Sequence, residues 1–526
     1  MNEELYKALE QISDDHIIEA ADHQKKRRFP WLKSIAAVLA IVIAWTAIWA
    51  AFDFPPTIIT PRPTMTGTEP YLQNATLPSD TIAPTVPDIL RPTIPDSSQP
   101  PTPVGPIVVP LSSLVAGPVY PEMVHGPVYS EYSDYKEYSK ALDEWYDSKR
   151  EQYDQPLGYA DSLADFWTKS IPEFLSGEGN RVYSPANVFL ALAMLAETTG
   201  GNTRQEILDL LGADSIEGLR TQASHVWNAH YSNDGKTTSL LANSLWLDEA
   251  YSFKNDTVQT LADSYYASVF HGDLGTEEMN EQLRAWLNSQ TGGLLEEQSK
   301  NTELSEDSVF ALASTLYFAA DWGGGFNQNN TADGVFHCED YDLTTPFMNK
   351  TITLGTYYWG EDFGAVYLPL SGGGMWLILP DKGKTVEDVL ESGEYLELTL
   401  NPIRWEKKKS IQINLSMPKF DISSQADLIE GMKNLGLSDV FDSTVSDFTP
   451  MTDTEQLFLG KIDHAVRVAV DEEGVIAAAY TVMDFPYAGV PTIPDDEIDF
   501  LLDRPFLFVV SSHDSLPLFA GVVEQP

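Results

Sequence analysis

Residues 468–505 read VAVDEEGVIAAAYTVMDFPYAGVPTIPDDEIDFLLDRP. The run Val468-Ala469-Val470 is strand-like and stops at Asp471-Glu472-Glu473-Gly474. Small residues follow at Ala477-Ala478-Ala479, and then a stretch rich in Pro, Asp and Gly. Connections usually take about 4–6 residues, so a link this long is either functional or without fixed structure. Its first half carries a pattern. On one parity stand Val475, Ala477, Ala479, Thr481, Met483 and Phe485, all uncharged. On the other stand Ile476, Ala478, Tyr480, Val482 and Asp484, with the only charge of the stretch. A strand entering a sheet turns alternate residues to opposite faces. The first set therefore suits a core and the second can face outward. Pro486 has no N–H and would end the ladder there. A plain surface loop needs no such alternation, so the pattern predicts a segment competent to insert into a sheet.

Upstream of this link the pattern is that of one mixed domain over 155–526. Leu163, Phe166, Trp167, Ile171 and Phe174 recur at helical spacing. Val188 to Leu195 (VFLALAML) follows Ser184-Pro185, a helix start, and reads as a buried helix. Asp427-Leu428-Ile429, Met432 and Leu435 predict another helix, stopped by Gly436. Ile411, Ile413, Leu415 and Met417 alternate with polar residues, as a half-buried strand does. GAVYLPL and MWLILPD flank Ser371-Gly372-Gly373-Gly374 and read as a hairpin. Helices dominate early and strands late, which predicts an α+β domain with large, mostly antiparallel sheets.

Enzyme motifs are missing from this domain. There is no H-E-x-x-H, no G-x-S-x-G, no Walker A loop and no dinucleotide fingerprint. His225 and His230 fall off one helical face, and adjacent His337-Cys338 is poor metal geometry. The Gly323-Gly324-Gly325 and 372–374 runs read as turns and bends. No cofactor and no metal are expected. The lone Cys338 excludes an internal disulfide and a multi-cysteine zinc site. With 32 Lys+Arg against 78 Asp+Glu, the formal net charge is −46, and such a surface repels a phosphate backbone, so nucleic acid is excluded as a partner.

The N-terminal part speaks to location. Ser34 to Phe52 (SIAAVLAIVIAWTAIWAAF) carries no charge. At 1.5 Å per residue it spans about 28 Å, close to the hydrocarbon thickness of a bilayer. Lys25, Lys26, Arg27, Arg28 and Lys33 precede it, and Asp53 follows. The positive flank belongs on the cytoplasmic side. The expected organisation is a cytoplasmic segment (1–33), a transmembrane helix (34–52), an extracellular Pro/Thr/Ser-rich linker (53–127), a charged, Tyr-rich helical lead-in (128–154) and the mixed domain (155–526). A cleaved signal peptide is the competing reading of 34–52, but no small-x-small cleavage site stands out before the prolines. More than half of the 34 prolines lie between Pro55 and Pro127, which predicts an extended, polyproline-like spacer.

The segment quoted first resembles the hinge of the serpin family. Glu472-Glu473-Gly474 and Ala477-Ala478-Ala479 stand in the family's register, and Phe500 to Phe508 (FLLDRPFLF) is similar to its C-terminal signature. Asn180, Ser184-Pro185-Ala186-Asn187, Gly200-Gly201-Asn202-Thr203, Leu316-Tyr317-Phe318 with Trp322 and Phe326, Met417-Pro418-Lys419-Phe420 and His464 follow in the family's order. The resemblance implies an inhibitor and not an enzyme. A serine protease attacks an exposed reactive loop, forms an acyl-enzyme, and is trapped when the cut loop enters the main sheet. It implies a hinge at Glu472, Glu473, Gly474, Val475, Ile476, Ala477, Ala478 and Ala479. It also implies a sheet-opening cluster of Ser184, Asn187, Ser314, His464 and Trp322, with Trp322 at the top of the sheet. Counting forward from Gly474 brackets the scissile bond at Tyr487, Ala488, Gly489 and Val490, with Ala488 preferred; counting back from Pro505 puts it nearer Pro494, since the loop is longer than the family's usual one. No Lys or Arg lies between Arg467 and Arg504, so the implied targets are elastase-, subtilisin- or chymotrypsin-like and not trypsin-like.

The chain departs from the family in four places. Val475 and Ile476 stand where Thr or Ser and often Glu are usual, Tyr480 is large, and Ser314 replaces an Asn. Slow insertion favours the outcome in which the protease escapes. A non-inhibitory surface module for binding or adhesion is the alternative that these residues keep open.

Overall fold

The structure is a computed structural model that describes residues 113–118, 120, 127, 131–153, 155–233, 237–300, 302–475 and 496–526. Two sheets and a set of helices build it. The expected transmembrane helix (34–52) and most of the linker lie outside the described residues. Among the described residues no helix is long and apolar enough to cross a membrane.

The main sheet has eight strands. In spatial order they are β1 (Leu114–Ala116), β5 (Ala267–Gly272), β4 (Thr237–Asp248), β6 (Phe310–Asp321), β14 (Gly474–Val475), β13 (Asp463–Val470) and β12 (Phe420–Asp427), with β3 (Ser232–Asn233) beside β4. The second sheet runs β15 (Glu497–Leu501), β11 (Lys408–Pro418), β8 (Asp342–Trp359), β9 (Phe363–Leu370), β10 (Gly373–Pro380), β16 (Phe506–Ser512), β17 (Pro517–Val523) and β2 (Arg181–Tyr183), with β7 (Ala332–His337) against β8. The pairs are antiparallel except β4 with β5 and β11 with β15. The expected hairpin is β9–β10, closed at Ser371-Gly372, where Gly372 holds φ +85°. The expected alternating strand is β11, with Ile411, Ile413, Leu415 and Met417 buried.

Helices α1 (Tyr135–Tyr153), α2 (Ala164–Leu175), α3 (Pro185–Thr198), α4 (Gly201–Leu210), α5 (Ile216–His230), α6 (Asn255–Ser264) and α7 (Glu277–Gln290) dominate the described chain up to residue 290. In α2 the apolar stripe is Phe166, Trp167, Ile171 and Leu175; Phe174 stays half-buried. α3 starts as its sequence requires. Ser184 caps it by accepting from the Asn187 N–H, and Pro185 occupies the first turn, where no N–H is needed. Almost every residue of α3 is buried, so it threads the core rather than covering it. The helix expected from Asp427 is shorter, Ile429–Asn434, because Asp427 remains paired in β12. Gly436 follows at φ +106°.

The end of the Pro-rich stretch is built into the domain. β1 adds an outer strand to β5, the Ser113 hydroxyl donates to Gln282 of α7 at 2.5 Å, and Tyr120 stacks on Trp227 and Tyr231. A second, smaller core (Trp246, Phe270, Met279, Leu283, Trp286) lies between α7 and the sheet, and Ala311 and Ala313 of β6 pack against it. β6 thus has one face toward α7 and the other, with Phe318 and Ala320, in the main core.

Candidate functional site

The described part of the long link starts as a tight turn after β13. Asp471 caps it: its carboxylate accepts from the Glu473 and Gly474 N–H groups at 2.9 and 3.3 Å. The chain then reverses and pairs with both neighbours at once. Val475 lies opposite Ala320 of β6 and Val470 of β13, and Gly474 lies opposite Asp321. A Cβ on Gly474 would come within 2.2 Å of the Ala320 carbonyl oxygen, so this approach requires glycine. Val475 is 2% exposed. Beyond this two-residue strand, nothing among the described residues pairs with the inner edges of β6 (310–319) or β13 (463–469). β6 is half-exposed along most of its length, which is unusual for a strand in the middle of a sheet.

Trp322 secures the turn. Its indole N–H donates to the Asp471 carbonyl at 2.8 Å, its backbone N–H to the Glu473 carbonyl at 3.0 Å, and Phe326 packs edge-on against its ring. The Glu472 side chain, 6% exposed, points inward to the Lys419 ammonium and accepts from the Thr331 hydroxyl at 2.7 Å. Burial alone would raise its pKa; the bonds from Lys419 and Thr331 outweigh that and hold it below the ordinary glutamate value. Two neighbouring carboxyls go the other way. Burial, and then the nearby Glu473, push Asp321 up to about 6. Burial, followed by Asp471 and Glu472, raises Glu473.

The second cluster lies further down the same two strands. The Ser184 N–H donates to His464 Nε2 at 3.1 Å, which assigns the ring proton of the neutral imidazole to Nδ1. The Ser184 hydroxyl donates to the Leu518 carbonyl at 2.7 Å. Asn187 donates to the Ser314 carbonyl at 3.2 Å and accepts from the Ser314 hydroxyl. The N-terminus of α3 therefore holds β13 through His464 and β6 through Ser314. Burial depresses the pKa of His464 to about 4, so it is neutral in ordinary solution.

The structure brings Ser184, Asn187, Ser314 and His464 together. Trp322 belongs instead to the turn at Glu472, Glu473, Gly474 and Val475. Ile476, Ala477, Ala478 and Ala479 of the hinge, and Tyr487, Ala488, Gly489 and Val490 of the scissile bracket, lie outside the described residues. Three partners were not anticipated: Lys419 and Thr331 on Glu472, and Asp321 opposite Gly474. Lys419 sits in the motif Met417-Pro418-Lys419-Phe420, but nothing local says which acid it meets, 53 positions away.

A family profile described as serpin (serine protease inhibitor) matches residues 163–526. The serpin ZX of Arabidopsis thaliana is 29% identical over 381 residues, covering 68% of this chain and 95% of its own length. The leukocyte elastase inhibitor of Equus caballus is 28% identical over 362 residues, covering 66% and 93%. The native-state crystal structure of tengpin, a thermophilic serpin, superposes with a TM-score of 0.62 at 25% identity, covering 71% of this chain and 95% of that one.

Proposed function

The chain belongs to the serpin family, and on that premise we propose that it is a suicide-type inhibitor of serine proteases, held at the cell surface by residues 34–52 with its serpin domain outside the cell. The observation that carries this reading is the hinge seated between β6 and β13. A strand continuing from Val475 in the same register would set Ala477 opposite Phe318 and Val468, Ala479 opposite Leu316 and Val466, and Thr481 opposite Ser314 and His464. These are the residues whose parity suits a core. The opposite parity, with Tyr480 and Asp484, would come up on the side of α7 rather than into open solvent. Insertion then requires α7 to yield. In doing so the strand would part the two strands that α3 ties together.

The chain supplies no catalytic group in this mechanism. The attacking hydroxyl is the protease's, and its carbonyl target lies within Tyr487–Val490. The serpin contributes the drive: a strand added between β6 and β13, whose inner edges beyond Val475 have no partner among the described residues. Relatives named as elastase inhibitors support this assignment, as does the lack of any cation for a trypsin-like pocket between Arg467 and Arg504. Val475 and Ile476 both favour burial of the hinge, whereas the bulk of Tyr480 beneath α7 slows entry.

The test mixes the full chain, in mild detergent, with pancreatic elastase and with subtilisin, followed by a denaturing gel. The expected result is a band at the summed mass that survives denaturant, together with a large rise in Tm of the loop-cleaved chain. Cleavage with neither adduct nor Tm rise overturns the reading and leaves a surface binding module. For the anchor, flotation of the full chain with vesicles, lost on deletion of 34–52, is the expected outcome; unchanged flotation overturns it.

A further inference from the structure

A group of side chains outside the hinge and the α3 cluster has no part in that mechanism. His230 closes α5 and is 5% exposed. His513 and Asp514 sit on the exposed turn between β16 and β17. One ring nitrogen of each histidine and one oxygen of Asp514 all lie within 4.8 Å of one another. Tyr159 braces the group: its hydroxyl is 2.8 Å from His230 Nε2 and 2.5 Å from Asp514 Oδ2. The Ser512 hydroxyl donates to the other oxygen, Oδ1, at 2.5 Å.

We propose that His230, His513 and Asp514 bind one divalent cation of the zinc class, with Tyr159 and Ser512 orienting the carboxylate. Two imidazoles and a carboxylate are a donor set that zinc accepts, with a water completing four-coordination. Tetrahedral zinc at about 2.0 Å from each donor needs donor separations of about 3.3 Å. His230 Nε2 and Asp514 Oδ1 are already 3.8 Å apart. The remaining closure falls on His513 and Asp514, which ride on a turn and can move, while the buried His230 stays fixed. The exposed side of the turn is the entry path that a binding site needs.

The charges favour a cation. Among the described residues no lysine or arginine pairs with Asp514; the groups bearing on it are His230, His513, Ser512 and Tyr159. Burial holds His230 neutral, with its pKa near 4. Among the described residues no cation balances the carboxylate, and a cation at His230 Nε2 would replace that nitrogen's bond to the Tyr159 hydroxyl, with the neutral ring keeping its proton on Nδ1 and the hydroxyl proton staying on Asp514. The hydrogen bonds from Tyr159 and Ser512 fix the carboxylate as outer partners of metal ligands do. A bound ion would staple the end of α5 to the last hairpin, joining segments 283 positions apart in the chain.

The full chain, purified in detergent without a histidine tag and stripped with a chelator, is titrated with zinc chloride at pH 7.5 by calorimetry and by thermal unfolding. Expected are one zinc per chain at this site, a Tm rise of a few degrees at saturating zinc, and no effect of magnesium or calcium. Cobalt at the same site should give the visible absorption of four-coordinate Co²⁺. His513→Ala and Asp514→Asn alter exposed positions, so the fold is retained. Each should weaken zinc binding at least about tenfold and abolish the cobalt band. Zinc affinity and Tm shift unchanged in both variants, or an unmoved Tm with no cobalt band in the parent, overturns the proposal.

Discussion

At the top of the main sheet, β6 and β13 are joined by the 471–475 turn and by charged side chains around it. At the level of Ser314 and His464 the same strands are joined by the uncharged N-terminus of α3. The upper region holds Asp321, Asp471, Glu472 and Glu473, and among the described residues the one ammonium paired with any of them is that of Lys419. The lower region holds a neutral imidazole, two hydroxyls and an amide. The upper tie is electrostatic and depends on protonation, and part of it works against itself. The lower tie is a set of neutral hydrogen bonds whose cost appears only when a partner is removed. Opening the slot between the strands has to undo both.

The largest difference between them is expected from removing Lys419. Glu472 is buried and would be left as a carboxylate without its cation. Losing one partner of a buried pair costs about 3–5 kcal/mol, and the partial exposure of Lys419 argues for the lower end. Lys419→Met should therefore lower unfolding free energy by about 3 kcal/mol, read by urea denaturation. The double variant Lys419→Met/Glu472→Leu should recover much of it, because no buried charge remains. A single-variant loss below about 1 kcal/mol would show that the pair is solvated and the upper tie weak.

A smaller loss is expected below. Ser184→Ala removes both the cap on α3 and the bond to the Leu518 carbonyl, but keeps the backbone donor to His464. About 1–2 kcal/mol should be lost. Spontaneous conversion of the uncut chain to a loop-inserted form, followed by native gel on warming, should become faster. Loss of stability without faster conversion would make this cluster a brace for α3 and not a lock on the strands.

How much of each region was readable in sequence follows from the range of its interactions. The hinge and the alternation beyond it are local, and a Glu-Glu-Gly run before small residues is legible by eye. The α3 cap is local too, since Ser184-Pro185 and Asn187 lie within one helical turn. His464 and Ser314 entered only through the family resemblance; no periodicity links positions 184, 314 and 464. The Glu472–Lys419 pair was invisible because 21% of residues are charged and any acid can be matched to some base. β1 was missed for a related reason. Leu114-Val115-Ala116 is too short to show a period, and it sits among prolines whose composition reads as spacer. His230, His513 and Asp514 are illegible for the same cause as the ion pair: no local spacing links them, and the group forms only when the last hairpin closes on α5.

The finest separation of the two regions is by pH. Asp321 has a folded-state pKa near 6, above the ordinary unfolded value of about 3.9. Between those values the folded chain binds more protons than the unfolded one, so this carboxyl costs stability at pH 7 and ceases to do so as the pH falls toward 4. His464 runs oppositely. Its folded pKa, near 4, lies below the unfolded value of about 6.5, so its contribution is lost as the pH falls through that window. His230, likewise depressed to about 4, adds to that loss, so in the native chain Asp321 offsets only part of it and Tm should fall between pH 7 and 5. Asp321→Asn removes the upper contribution alone. The variant should exceed the parent in Tm by a degree or two at pH 7.5, lose that advantage by pH 5, and fall more steeply on acidification because His464 and His230 are then unopposed. A constant offset between variant and parent across this range would mean that Asp321 is solvated in the folded state and that the charge crowding opposite Gly474 does not bear on opening the sheet.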